Sequence, residues 1–388
     1  MRTALLVLVC LSLIFATASA QGIVVPGDAD GDMIVSDEEL RLAEQSYSEG
    51  KTTSDELEEI KHIHEKYPIT IVDSADRTVT IYKPVRKIII QPTTLYEPVF
   101  VLGAQDKLAG ITTTAQECYS WVPEMEDKPT IGGYQELDYE KIIELAPDIV
   151  LTFRERPDIE EILEPANIPI IVLKFAELDK FEYEFDILAR LLEEEARAEE
   201  YIIWRNSHLT QIKDATEGIE PKVRVFTSGA DTLETWKSNT IGSGIHDIIT
   251  NAGGYNIVSA LPGDYSVTVD PEWILDVDPE VVVATGWSSE LVGYFVESSE
   301  NAKQVVEGLH NNEVLRETIA GKSRRIYLID GMNLLGSCSA PIGISYCAKW
   351  FYPEQFAEMN PQELHREYIE EWLGAPYQGV WTYPQATA

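Results

Sequence analysis

Asp28, Asp30 and Asp32 occupy alternate positions of the stretch Gly27–Glu39, and Ser36 and Glu39 follow them. Oxygens spaced this way can converge on one hard cation. Counted from Asp28, the stretch fits a twelve-residue loop whose ligands are the side chains of Asp28, Asp30, Asp32, Ser36 and Glu39 and the carbonyl of Ile34. Calcium is the expected ion, because it takes many oxygens and a bidentate carboxylate closes the loop. The sixth position ordinarily holds Gly, since the turn there needs a positive φ. Met33 stands there instead and is expected to weaken the site or strain the turn. The alternative is an acidic loop that only caps the next helix.

A second set of carboxylates comes from a repeat. Leu137–Leu151 (LDYEKIIELAPDIVL) and Val269–Val283 (VDPEWILDVDPEVVV) share five of fifteen positions, among them Asp138/Asp270, Glu140/Glu272 and Pro147/Pro279. In each copy an Asp can cap a short helix and a Glu stands in its first turn, where the helix dipole favours negative charge. A Pro then ends the helix and a β-branched run reads as a buried parallel strand. The copies lie 132 residues apart. That is too far for adjacent repeats of a solenoid, spaced at about 20–50 residues, and it points to two similar lobes.

A third set carries no local motif. Tyr96, Tyr119, Trp121, Tyr134, Arg154 and Arg156 fall near strand ends in the first half, and Trp236, Lys237, Tyr265, Trp287 and Asn333 in the second. Aromatic faces suit a large planar or chelate-type ligand, and Arg suits carboxylate or phosphate. Each aromatic taken alone is equally a packing residue. No GxSxG, P-loop, HExxH or paired-carboxylate constellation is present, so no catalysis is expected.

The elements that must position these residues span 388 amino acids, enough for two or three domains. Asp and Glu number 66 against 30 Lys and Arg, a net charge of −36, which argues against nucleic acid or an anionic membrane surface as partner. Met1–Ala20 has the grammar of an export signal: Arg2, an apolar run and Ala18-Ser19-Ala20. The mature chain is therefore expected outside the cytoplasm, at the cell surface or in a periplasm-like space, peripheral to the membrane. Cys118, Cys338 and Cys347 remain in it. A Cys338–Cys347 bridge is one option and buried thiols are the other.

Residues 21–67 read as a small two-helix module, with Asp37–Ser48 and Ser54–Tyr67 helical and His62 and His64 as solvated helix residues. Residues 68–86 alternate as a β-hairpin. From residue 87 strands alternate with helices, which predicts an α/β architecture with parallel sheets and ligand-binding loops at the carboxyl ends of the strands. Residues 87–192 form one lobe, 193–217 a long joining helix and 218–388 the second lobe.

With these elements placed, the chain resembles the class III solute-binding proteins of ABC importers, which bind ferric siderophores, vitamin B12 or haem. The matching stretches include Lys87–Gly110, both copies of the repeat, Ile248–Asn256 (IITNAGGYN) and Ile326–Gly331. The resemblance implies two Rossmann-like lobes joined by a long helix, with small hinge motion and a metal-chelate ligand, siderophore or corrinoid, in the cleft between them. It places the third set of residues in that cleft. It also implies that the first-turn glutamates, Glu140 and Glu272, dock onto arginines of the permease. The first module resembles a dockerin with one intact EF-hand-type loop, which implies a cohesin-like partner. A surface-attached interaction protein or enzyme anchored through that module is the alternative function.

Overall fold

The duplicated stretch folds twice into the same object. Asp138 accepts a hydrogen bond from Lys141 N (2.9 Å) and caps the helix Tyr139–Leu145; Asp270 accepts one from Glu272 N (2.8 Å) and caps Pro271–Val277. Both helices end on a residue at φ 49°, Ala146 and Asp278, each followed by a Pro. Because the aspartates do the capping, Glu140 and Glu272 are not needed for it. This computed structural model describes residues 23–175, 177–230, 235–336 and 338–385; the leader read at Met1–Ala20 lies outside them.

The hairpin comprises β1 (Ile69–Val72) and β2 (Thr78–Ile81), paired antiparallel. Lobe one is built on β3 (Ile88–Ile90), β4 (Leu108–Gly110), β5 (Ile149–Thr152) and β6 (Ile170–Val172), all parallel in the order β4-β3-β5-β6. Lobe two contains β7 (Arg224–Gly229), β8 (Lys237–Asn239), β9 (Tyr255–Asn256), β10 (Ser266–Thr268), β11 (Val281–Gly286), β12 (Ile326–Asp330) and β13 (Thr382–Tyr383). Its sheet runs β13-β12-β11-β7-β9, with β13 antiparallel at the edge, while β8 and β10 form a separate antiparallel ribbon. The sequence gives no warning of the ribbon, whose strands are three residues each. Nor does it announce that the aromatic tail closes a sheet.

Alternate strand residues enter different cores, as period-two geometry requires. Ile88, Ile90, Ile149 and Leu151 join one large cluster that reaches lobe two through Val281, Val283 and Ile329. Ile89 and Val150 face an outer cluster of lobe one, and Phe226, Val282 and Leu328 an outer cluster of lobe two. The central cluster is filled by the helices Phe181–Leu192, Glu195–Thr216 and Ala340–Phe351. The first two are separated by Glu193 at φ 60°, where the sequence places the break. At 22 residues the second is about 33 Å long. It packs against Phe181–Leu192 on one side and Ala340–Phe351 on the other, joining the lobes.

The N-terminal module does not hang free. Both of its helices begin with a capping box, Ser36/Glu39 and Thr53/Glu56. Val25, Val35 and Ile63 pack into the central cluster. Tyr67 donates its hydroxyl to Glu193 (2.8 Å), and His62 Nε2 lies 2.5 Å from the same carboxylate. His64 pairs with Asp37 at 2.9 Å. The expectation that both histidines are merely solvated is thus corrected. The hairpin is pinned likewise: Asp73 accepts from Val172 N in β6, and Arg77 donates to Asp73 and to the Ile170 carbonyl. Cys338 and Cys347 are both buried and form no disulfide with one another.

Candidate functional site

The strands of both lobes end toward one another, and two cavities lie between them. The first, about 270 Å³, has Thr94, Glu97, Tyr119 and Phe153 on the lobe-one side and Asp247, Tyr265 and Leu335 on the other. The second, about 180 Å³, has Glu117, Cys118 and Trp121 facing Trp287, Tyr294 and Asp330. Met332 belongs to the wall of both. The α/β topology accounts for this placement, since loops leaving the carboxyl ends of parallel strands form the crevice. Phe153 follows β5, Lys174 and Phe175 follow β6, Trp287 follows β11 and Asp330 ends β12.

Of the residues expected in the cleft, Tyr119 and Tyr265 line the first cavity and Trp121, Trp287 and Asn333 the second. Tyr119 and its neighbours are not a loop as expected but the helix Thr113–Tyr119, started by the Thr112 cap. Trp121 stacks on Tyr294 across the lobes, centroids 4.5 Å apart and planes 10° from parallel. Trp287 Nε1 donates to Thr285 Oγ1 at 3.2 Å, leaving half of the residue exposed. Asn333 donates to Asp330 Oδ2 at 2.7 Å.

Five expectations need correction. Tyr96 is fully buried: its hydroxyl donates to the Ile90 carbonyl (2.8 Å) and accepts from Thr112 N (3.1 Å), so it ties β3 to the next layer and lines neither cavity. Trp236 packs on Phe226 in the outer core of lobe two. Tyr134, Arg154 and Arg156 line neither cavity; they border an open depression of about 450 Å³ confined to lobe one. There Arg156 donates twice to Asp158 (2.9 and 2.6 Å), which holds the Asp158 carboxyl down at about 2. Arg154 lies 5.3 Å over the ring of Phe153.

What the sequence reading misses is acidic. Glu97 accepts the Tyr368 hydroxyl at 2.5 Å, and burial pushes its carboxyl up to about 7. Asp330 accepts N–H bonds from Met332 (2.8 Å) and Asn333 (3.1 Å), yet burial outweighs them and raises its carboxyl. Tyr119 lies close enough to both carboxylates to be pushed up by them after burial itself. Asp330 closes a buried apolar strand, and the strand-end rule alone flags it. Glu97 starts a helix among 66 acidic residues, and no spacing sets it apart.

Glu140 and Glu272 are exposed, and neither is in an ion pair among the described residues. A helix leading into a parallel strand runs against it, so its first turn stands at the end where the strands finish. Both glutamates therefore border the side of the molecule on which the cleft opens. In the N-terminal loop, Asp28, Asp30 and Asp32 each bring a carboxylate oxygen within 4.8 Å of the others. Met33 adopts φ 69°, so the turn takes the positive φ that Gly would supply. Glu39 accepts from Ser36 N, Ala29 N and the Ser36 hydroxyl, which together hold its carboxyl down at about 2.

Known proteins share this architecture. The Vitamin B12-binding protein of Yersinia pestis (strain Pestoides F) is 26% identical over 213 residues, 53% of this chain and 71% of the relative. The TroA-like periplasmic binding protein FepB from Veillonella parvula superposes with a TM-score of 0.70 at 21% identity, covering 82% of this chain and all of that one. The molybdate periplasmic binding protein MolA from Haemophilus influenzae gives 0.65 at 16% identity over 80% of this chain and 99% of its own. A periplasmic heme binding protein from Pseudomonas aeruginosa gives 0.54 at 21% identity over 70% and 94%. The profile of the family described as Periplasmic binding protein matches residues 93–332, the span that holds both copies of the repeat and most of the walls of both cavities, and the chain belongs to that family.

Proposed function

We propose that the protein captures a metal chelate, a ferric siderophore or a corrinoid, between its lobes and delivers it to the permease of an ABC importer. The observation that carries this reading is the pair of aromatic-walled cavities at facing strand ends, in a chain of a solute-binding family. The vitamin B12-binding and heme-binding names of similar proteins support a large chelate. Such a family works outside the cytoplasmic membrane, and no described helix is long and apolar enough to cross one. Titration of the mature chain with ferric siderophores and corrinoids is expected to quench Trp121 and Trp287 fluorescence saturably, without turnover. Failure of every chelate to bind sinks the reading.

Glu140 and Glu272 serve in this reading as permease contacts, pairing with arginines by charge-assisted bonds. Calcium binds the Asp28–Glu39 loop, held by the three aspartates whose oxygens converge, with Ser36, Glu39 and the Ile34 carbonyl as further oxygen donors. Ion binding to the folded form raises the melting temperature by mass action. Asp28→Ala is expected to abolish a calcium-dependent rise in melting temperature; an unchanged rise places the ion elsewhere.

A further inference from the structure

We propose that the inter-lobe cleft selects for positive charge: the chelate of the reading above, on which this inference rests, presents a cationic group between the carboxylates of Glu97 and Asp247 or of Glu117 and Asp330. Each cavity has two of these carboxylates in its wall. Among the described residues, Lys174 is the only Lys or Arg that lines either cavity, and it is exposed. The arginines that could have welcomed an anion, Arg154 and Arg156, border the separate depression on lobe one. Besides burial, Asp247 feels His246, which favours its charge, and Asp179 and Glu177, which add negative field there.

The apolar walls point the same way. The second cavity places the stacked pair Trp121–Tyr294 and the half-exposed Trp287 beside Glu117 and Asp330. Aromatic faces attract cations through their quadrupole, and a nearby carboxylate adds Coulomb attraction that is stronger in a partly desolvated cleft than in water. An anionic chelate would meet two of these acidic groups in either cavity, with no buried Lys or Arg among the described residues of its wall to offset them. A cation entering the first cavity also favours the ionised form of Glu97, so the partly protonated carboxyl is no obstacle.

The test uses the mature chain and three ferric probes: a tris-hydroxamate complex carrying a free ammonium group, the same complex N-acetylated to neutrality, and a tris-catecholate trianion. Choline serves as a cation without metal. The cationic complex is expected to bind at least about tenfold more tightly than its acetylated twin. The trianion is expected not to compete. The Glu117→Gln/Asp247→Asn variant, checked for folding by circular dichroism, is expected to lose most of the discrimination. Trianion affinity equal to or above that of the cation overturns the charge inference and leaves the chelate reading standing. Choline binding without any chelate binding overturns the chelate reading and sustains the charge inference. Binding of no probe overturns both.

Discussion

Replacing Glu140 and Glu272 together by arginine is expected to lower importer-dependent uptake by at least about 30-fold, with ligand affinity in solution unchanged. The magnitude follows from breaking charged contacts at an interface, which costs about 2 kcal/mol or more. The separation of the two readouts follows from the structure. Both side chains are exposed, neither lines a cavity, and Asp138 and Asp270 keep the helix caps. Reversal places positive charge at two helix N-termini, a cost of about 0.3–1 kcal/mol each, too little to unfold a lobe. Uptake in reconstituted vesicles and titration in solution are measured side by side. Normal uptake by the double variant removes the docking role, and weakened binding shows that the lobes were disturbed instead.

Gly343→Ala is expected to destabilise the fold by about 3 kcal/mol and to weaken ligand binding with it. A Cβ on Gly343 would lie 2.2 Å from the Leu334 carbonyl oxygen, a backbone atom that cannot step aside as a side chain can. The clash therefore drives the helix Ala340–Phe351 away from the segment after β12. That segment carries Met332, which both cavities share, and Leu335 of the first. The helix also lies in the central cluster between the lobes, so it has little room to retreat. Chemical denaturation and the chelate titration check the two halves of this expectation. A variant of unchanged stability shows that the helix and the loop can slide apart without cost.

The two lobes were legible because each depends on local grammar. A capping Asp, a terminating Pro and a β-branched run recur at 132 residues, and the structure repeats them down to the φ of Ala146 and Asp278. The break at Glu193 was legible because apolar periodicity falters there. The cleft was legible only as a region. Proximity to a strand end does not tell which way a side chain turns, so Tyr96 went into the core and Trp236 into the outer cluster of lobe two. The acidic character of the cleft was not legible, because Glu97, Glu117, Asp247 and Asp330 come from four distant segments and meet only when the sheets face each other. The attachment of the small module to the main body was equally hidden, since it rests on pairs such as His62 with Glu193, far apart in the chain.

The long helix is not alone in linking the lobes. Besides the helix Glu195–Thr216, residues 361–372 leave lobe two, touch lobe one and return to form β13. On the way Tyr368 binds Glu97, and the Glu371 and Trp372 carbonyls accept from Arg197. Any opening of the cleft therefore has to break these hydrogen bonds or carry the crossing segment along with one lobe. Glu97 belongs both to this crossing and to the wall of the first cavity, so a ligand seated there touches one of the contacts that hold the lobes together.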